Sequence, residues 1–151
     1  MNLDNKIWLT NISEHIDHRG KLTFINDFDL KNIKRYYLIY QNEKNMIRAW
    51  QGHRDESKYF HIIEGSFKIV LLNPENWYNI SSDLKPRIFI LNASKPKLLI
   101  VPPGYINGIK ALENDSLLLV FSDKSLDESR KDDYRWELNY FNCYREVFNG
   151  D

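Results

Sequence analysis

The chain has 151 residues, enough for one domain with its own core; aromatic residues make up 14% of it, while glycine and proline number only 6 and 5. Disordered and fibrous classes are thereby excluded. Lys plus Arg and Asp plus Glu balance at 21 each, which leaves no broad basic face for nucleic acid or an anionic membrane but allows a local basic pocket.

From the N-terminus, "MNLDNKIWLTNISEH" carries early charge and no apolar stretch of signal-peptide length, and no later run is long enough to span a bilayer. A cytoplasmic protein is expected. "KLTFIND" (21–27) alternates through Leu22 and Phe24, and "IKRYYLIYQ" (33–41) is dense in aromatic and branched residues. In "KYFHIIEGSFKIVLLN" (58–73), Phe67, Ile69 and Leu71 fall on one face and Lys68, Val70 and Leu72 on the other. "PRIFILN", "KLLIVPPG", "INGIKAL" and "DSLLLVFSD" continue the series up to residue 123. Short strands at this spacing, divided by turn residues, predict an antiparallel sandwich or barrel.

Residues 73–86, "NPENWYNISSDLKP", predict a long excursion between two strands. After Phe121 the chain turns charged, and Ser125 with Glu128 is spaced as a capping box. "WELNYFNCYREVF" then sets Trp136, Tyr140, Tyr144 and Val147 at helix-like intervals, a tail expected to pack its aromatics on the barrel or on a partner subunit. The lone cysteine, Cys143, excludes an internal disulfide or a thiolate metal cluster and reads as a small hydrophobe.

The densest polar stretch is "RAWQGHR" (48–54), where His53 could be a metal ligand, a proton-transfer base or a polar residue on a strand end. "GHRDESKYFHIIEGSFKI" followed by "VPPGYINGIKAL" resembles the two motifs of the cupin superfamily, which implies an all-β, double-stranded β-helix (jelly roll) with a short C-terminal segment, one domain over 1–151. The resemblance places the two histidine positions of the first motif on Gln51 and His53, the glutamate on Lys58 and the glycine on Gly65. In the second motif Pro102, Gly104 and Asn107 are present, with Asn107 where a histidine stands. With one of four ligands kept and an ammonium at another, no metal site and no cofactor are expected.

Within the superfamily the chain resembles the metal-free enzymes of nucleotide-linked 4-keto-6-deoxy sugars, the dTDP-4-keto-6-deoxyglucose 3,4-ketoisomerases and the dTDP-4-dehydrorhamnose 3,5-epimerases. "DHRGKLTFI" is similar to their shared Asp-x-Arg-Gly opening, "IKRYYLIY" to the ketoisomerases' tyrosine strand, and "RAWQGHRDESKYFHIIEGS" to their Arg-Gly-x-His-x-His segment; "VPPGYINGIKAL" and "DDYRW" lean toward the epimerases. The epimerase's catalytic histidine falls on Gln51 and its tyrosine on Phe121, and the aspartate paired with its histidine has no match beside Trp136.

The resemblance therefore implies a nucleotide-sugar isomerase, first as a 3,4-ketoisomerase with His53 as general base, then as a 3,5-epimerase, and in another class as a non-catalytic sugar-binding cupin. A carbonyl moves from C4 to C3 when a proton leaves C3 and one returns to C4; imidazole, with a pKa of about 6.5, holds and releases protons near neutrality. The enediolate between these steps needs hydrogen-bond donors, and Tyr37, Arg48 and Lys58 are the candidates. Arg19 and Arg48 resemble diphosphate-binding residues, as bidentate guanidinium forks. Trp50 reads as a base-stacking or core residue, and Tyr105, Asn107 and Gln51 as pocket residues. A homodimer in deoxysugar and polysaccharide biosynthesis is expected, with the nucleotide sugar as sole partner and neither nucleic acid nor membrane.

Overall fold

The computed structural model describes residues 6–149. Its strands are β1 (Trp8–Asn11), β2 (Ser13–Asp17), β3 (Gly20–Phe24), β4 (Arg35–Gln41), β5 (Ile47–His53), β6 (Lys58–Glu64), β7 (Ser66–Leu72), β8 (Arg87–Asn92), β9 (Lys97–Val101), β10 (Tyr105–Ala111), β11 (Ser116–Ser122) and β12 (Tyr134–Arg135). Two short helices, α1 (Leu126–Arg130) and α2 (Tyr144–Asn149), complete it. One five-stranded sheet runs β1-β9-β6-β11-β4, the other β12-β5-β10-β7-β8, and β2-β3 form a separate hairpin. Every recorded pairing is antiparallel, the jelly-roll arrangement expected of a cupin.

The alternation in 66–72 works as its pattern predicts. Phe67, Ile69 and Leu71 enter the central cluster, where they meet Phe60, Ile62, Leu99, Val101, Leu118 and Val120 of the facing sheet. Val70 and Leu72 point the other way, into a second cluster with Trp50, Ile106, Phe141, Val147 and Phe148. Both faces of β7 are thus covered, which is why this strand is apolar almost throughout. Lys68, on the outer face, donates to the Val147 carbonyl at 3.0 Å, and Lys110 donates to that of Phe148 at 2.5 Å, so two ammonium groups meet α2 where its last carbonyls lack partners.

At the turn between β6 and β7, Gly65 has φ +70°, and a Cβ there would lie 2.2 Å from the Ser116 hydroxyl. Only glycine takes that conformation and that space. Residues 73–86 carry no regular element, as predicted, and Trp77 folds back from them onto β5.

Three elements depart from the sequence expectation. β1 and β2 were not foreseen, since their exposed four- and five-residue stretches lack an apolar alternation; β1 gains its hydrogen bonds by adding to the edge of β9. The helix-like spacing from Trp136 is used otherwise: Tyr134–Arg135 adds as a strand to β5, the Trp136 and Trp50 backbones exchange hydrogen bonds at 3.3 Å, and helix begins only at Tyr144. The open edge of β5 offers unpaired N–H and C=O groups, and an aromatic Tyr-Arg-Trp segment satisfies them better as strand than as helix. Phe141, Val147 and Phe148 are buried against the barrel of the same chain. The capping box forms: the Glu128 N–H donates to the Ser125 hydroxyl at 3.2 Å and the Ser125 N–H to the Glu128 carboxylate at 2.7 Å.

Candidate active site

The polar end of the barrel is built by inward positions of four strands. Arg35 and Tyr37 come from β4, Gln51 and His53 from β5, Lys58 from β6, and Ser122 from β11. Asn107 and Tyr105 stand opposite Gln51 and His53 on β10, and the ladder shifts register between Asn107 and Gly108. Such a bulge re-aims side chains at a rim. A cavity of about 360 Å³ opens here. Its walls include Tyr37, Arg48, Trp50, Gln51, Lys58 and Asn107 with Arg135 and Trp136, over an apolar floor of Ile39, Ile47, Phe60 and Ile109. A second cavity of about 300 Å³ shares Tyr37, Gln51, Lys58 and Arg135 with the first and extends to Arg35, Ser129, Arg130 and Asp133.

Six of the nine residues singled out from sequence therefore meet at one cavity. Trp50 is only 2% exposed; its ring packs between Phe141 and Phe148, centroids 5.4 and 5.2 Å away, and its indole N–H donates to the Leu138 carbonyl, so it stands as a core residue at the cavity wall. Tyr105 belongs to the central apolar cluster. Arg19 is placed elsewhere: on the β2-β3 hairpin, its side chain 77% exposed, it pairs with Asp17 at 2.6 Å and is not at this cavity. Its guanidinium closes a local turn with Asp17, two residues away, which is what Asp-x-Arg-Gly encodes within this chain.

His53 lies behind the wall, two residues from Gln51 on the same side of β5, with a side chain 3% exposed. Its Nδ1 is 2.7 Å from the Asp132 carbonyl oxygen and 3.0 Å from Glu56 Oε2, and its Nε2 has no hydrogen-bond partner among the described residues. Gly52, between the two site residues, lets the chain's outer layer close: a Cβ there would lie within 3.0 Å of Ile106, Trp77 and Trp136.

The sequence reading missed Glu56. Its fully buried carboxylate accepts from Arg35 at 2.9 Å, from the Ser122 hydroxyl at 2.6 Å and from the Ser129 hydroxyl at 2.7 Å. Burial alone would raise its pKa, but hydrogen bonds from His53 and Ser122 and the nearby Lys58 charge hold it at about 2. Its one sequence signal is position: an acid three residues after His53, in a turn. Asp132, also missed, accepts the Arg54 and Asp55 backbone N–H groups at 2.9 Å each.

Lys58 donates to the Gln51 side-chain oxygen at 3.2 Å, and the Gln51 amide donates onward to Asp133 at 2.9 Å. Burial depresses the Lys58 ammonium to about 8; Glu56 opposes that shift and Arg35 adds to it. Tyr37 is pushed up to about 12, by burial first and the Glu56 charge second, so its phenol stays a proton donor across the physiological range. Arg35 sits over the Tyr37 ring, 5.1 Å from its centroid. Among the described residues no group of three His, Cys, Asp or Glu side chains converges as an ion site, and no helix is long and apolar enough to cross a membrane.

Solved structures share this fold. A mutant of the 3,4-ketoisomerase QdtA from Thermoanaerobacterium thermosaccharolyticum, in complex with TDP-4-keto-6-deoxyglucose, is 25% identical with a TM-score of 0.68 over 97% of this chain and 98% of that one. A 3,4-ketoisomerase from Helicobacter canadensis is 20% identical, with a TM-score of 0.67 over 92% and 97%. The dTDP-4-dehydrorhamnose 3,5-epimerase of Bacillus anthracis, with TDP and PPi bound, is 19% identical, with a TM-score of 0.69 over 88% and 79%. Comparison with curated protein sequences gives no match. Residues 5–146 match the family described as "FdtA: WxcM-like, C-terminal", and the chain belongs to that family, on an RmlC-like cupin fold.

Proposed function

We propose that this protein is a metal-independent isomerase of a nucleotide-linked 4-keto-6-deoxy sugar, and that its reaction is 3,4-ketoisomerisation with His53 as proton carrier. The observation that carries this reading is the state of the His53 ring. A carbonyl and a carboxylate both face Nδ1 and both can only accept, so Nδ1 carries a proton and Nε2 is the ring nitrogen left to exchange one with a substrate. Among the described residues that buried nitrogen has no hydrogen-bond partner.

The chemistry follows. Nε2 takes the proton from C3 as the C4 carbonyl oxygen gains charge, giving an enediolate. Tyr37 and Lys58, both at the cavity wall, donate to its oxygens. Return of the proton to C4, with loss of the hydroxyl proton from O3 and its gain at O4, leaves a 3-keto sugar; atoms and electrons balance without a cofactor. The apolar floor of Ile39, Phe60 and Ile109 suits a 6-deoxy methyl group, and Arg48 and Arg135 at the walls suit the diphosphate.

The test is turnover of dTDP-4-keto-6-deoxyglucose followed by NMR. Wild-type protein is expected to accumulate the 3-keto isomer, and His53→Asn to lose at least about 100-fold in kcat while still binding TDP. A His53→Asn protein with full turnover would sink the assignment. The runner-up is 3,5-epimerisation, favoured by the likeness to the epimerase fold; it would change configuration at C3 or C5 with the 4-keto group intact. Tight binding of the sugar nucleotide with no conversion would point instead to a sugar-binding cupin.

We also propose that two copies associate through the exposed apolar side of β4 and the hairpin. Tyr36, Leu38 and Tyr40 on the edge strand are 68%, 55% and 56% exposed, and Ile16 and Leu22 on the hairpin 71% and 61%. Three large apolar side chains exposed on one face of an edge strand mark an association surface.

A further inference from the structure

We propose that Glu56 is the positioning residue of this site: its carboxylate fixes the His53 imidazole in the tautomer protonated at Nδ1 and stabilises the imidazolium that forms when Nε2 takes a proton. The inference rests on the reading of His53 as proton carrier and adds to it a group that touches neither substrate nor reacting atoms.

The geometry is specific. Donors from three elements pin the carboxylate: the Arg35 guanidinium of β4 and the Ser122 hydroxyl of β11 on Oε1, and the Ser129 hydroxyl of α1 on Oε2. Oε2 is left facing His53 Nδ1 at 3.0 Å. A buried Arg–Glu pair that only closed the barrel end would still need the two hydroxyls to satisfy its carboxylate, but it would not need the imidazole on Oε2. Here the side chain is fully buried, so its charge acts on the ring with little screening by water. A carboxylate behind a histidine base holds its tautomer and orientation and favours its charged form; that is the general logic of base–orienter pairs.

The charged groups around His53 come from every neighbouring element. Glu56 follows it in the β5-β6 turn, Lys58 stands on β6, Arg35 on β4, and Asp132 and Asp133 lie beyond α1. Asp132 presents its carbonyl to Nδ1, while its carboxylate is occupied by the Arg54 and Asp55 N–H groups. Arg35 and Lys58 disfavour a second positive charge. Among the described residues Glu56 is therefore the one anion in contact with the ring that counters them.

The decisive experiment reads the ring and the reaction separately. Nitrogen-15 NMR of His53 in the substrate-free protein reports tautomer and titration point; kcat for the keto-sugar nucleotide reports function. Wild-type protein is expected to show Nδ1–H. Glu56→Gln, which keeps the shape and an acceptor but loses the charge, is expected to move the His53 titration and the acidic limb of the kcat profile to lower pH. It should also cost roughly 100-fold in kcat, with TDP binding unchanged; Glu56→Asp should restore part of it. Ser129→Ala takes one donor from the carboxylate, makes it more basic, and should move the His53 titration the opposite way. A carboxylate that served the fold alone would leave the acidic limb of the kcat profile in place even where the ring's titration moves, so Ser129→Ala, read by both, decides the matter even if Glu56→Gln does not fold.

An Nε2–H tautomer in wild type, or an unmoved titration in Ser129→Ala, overturns the inference. If His53→Asn abolishes turnover and Glu56→Gln keeps it, the inference alone falls. If both variants keep turnover, the reading of His53 fails and the inference falls with it.

Discussion

Lys58 shows how a single buried charge at the cavity wall weighs on stability. The residue is 5% exposed, and among the described residues its ammonium has one hydrogen-bond acceptor, the Gln51 side chain. Burial lowers its pKa from 10.5 to about 8, so between those values the unfolded chain binds more protons and stability rises with pH. Below pH 8 the folded protein holds the charge at a cost. Lys58→Met should therefore raise unfolding stability near pH 7 by roughly 3 kcal/mol while lowering kcat, as read by urea denaturation beside turnover. Stability unchanged or reduced would mean the ammonium is better solvated than its burial implies.

Glu56 has the opposite sign. Its carboxyl is held at about 2 against an ordinary 4.5, so its contribution is fully present above about pH 4.5 and is lost as pH falls toward 2. Wild-type stability should drop across that window, measured by denaturant midpoints, and the drop should shrink in Glu56→Gln.

None of this was legible in the sequence. Glu56 meets Arg35, Ser122 and Ser129, groups brought together only by the closed barrel. His53 was singled out because a local motif with a known spacing carried it. Arg19 was singled out in the same way; within this chain its ion pair is as local as its motif.

At the level of elements, patterns were readable where two faces of one strand meet two different environments. The alternation of 66–72 survives because its inner face meets the facing sheet and its outer face meets the tail. The tail itself was half readable. Its aromatics do pack on the barrel, but the spacing from Trp136 suggested helix, whereas the open edge of β5 recruited Tyr134–Arg135 as strand. The capping box was a purely local signal and held.

Two predictions belong here. Phe148 is 1% exposed against Trp50 and closes the outer cluster; Phe148→Ala should cost about 3–5 kcal/mol in urea unfolding, and a loss under 1 kcal/mol would mean the tail contributes little. Ser125→Ala removes a cap and should cost about 1 kcal/mol by the same measurement, with more disturbance at the Ser129–Glu56 contact than in the sheets.

At the level of the whole molecule, the two sheets enclose an apolar core at one end and gather cations, a phenol and a buried imidazole at the other. The outer face of β4 exposes Tyr36, Leu38 and Tyr40, and sedimentation should find a dimer that Leu38→Asp with Tyr40→Asp turns into a monomer. A wild-type monomer at high micromolar concentration would remove that proposal and leave the site reading intact.

The central claim is that a proton passes between adjacent sugar carbons at the polar end of this barrel. Running dTDP-4-keto-6-deoxyglucose with the enzyme in heavy water and reading deuterium by proton NMR tests it directly. The expected result is label at C4 of a newly formed 3-keto sugar, lost in His53→Asn. Label at C3 or C5 with the C4 carbonyl unmoved, or no label at all on a bound substrate, would contradict it.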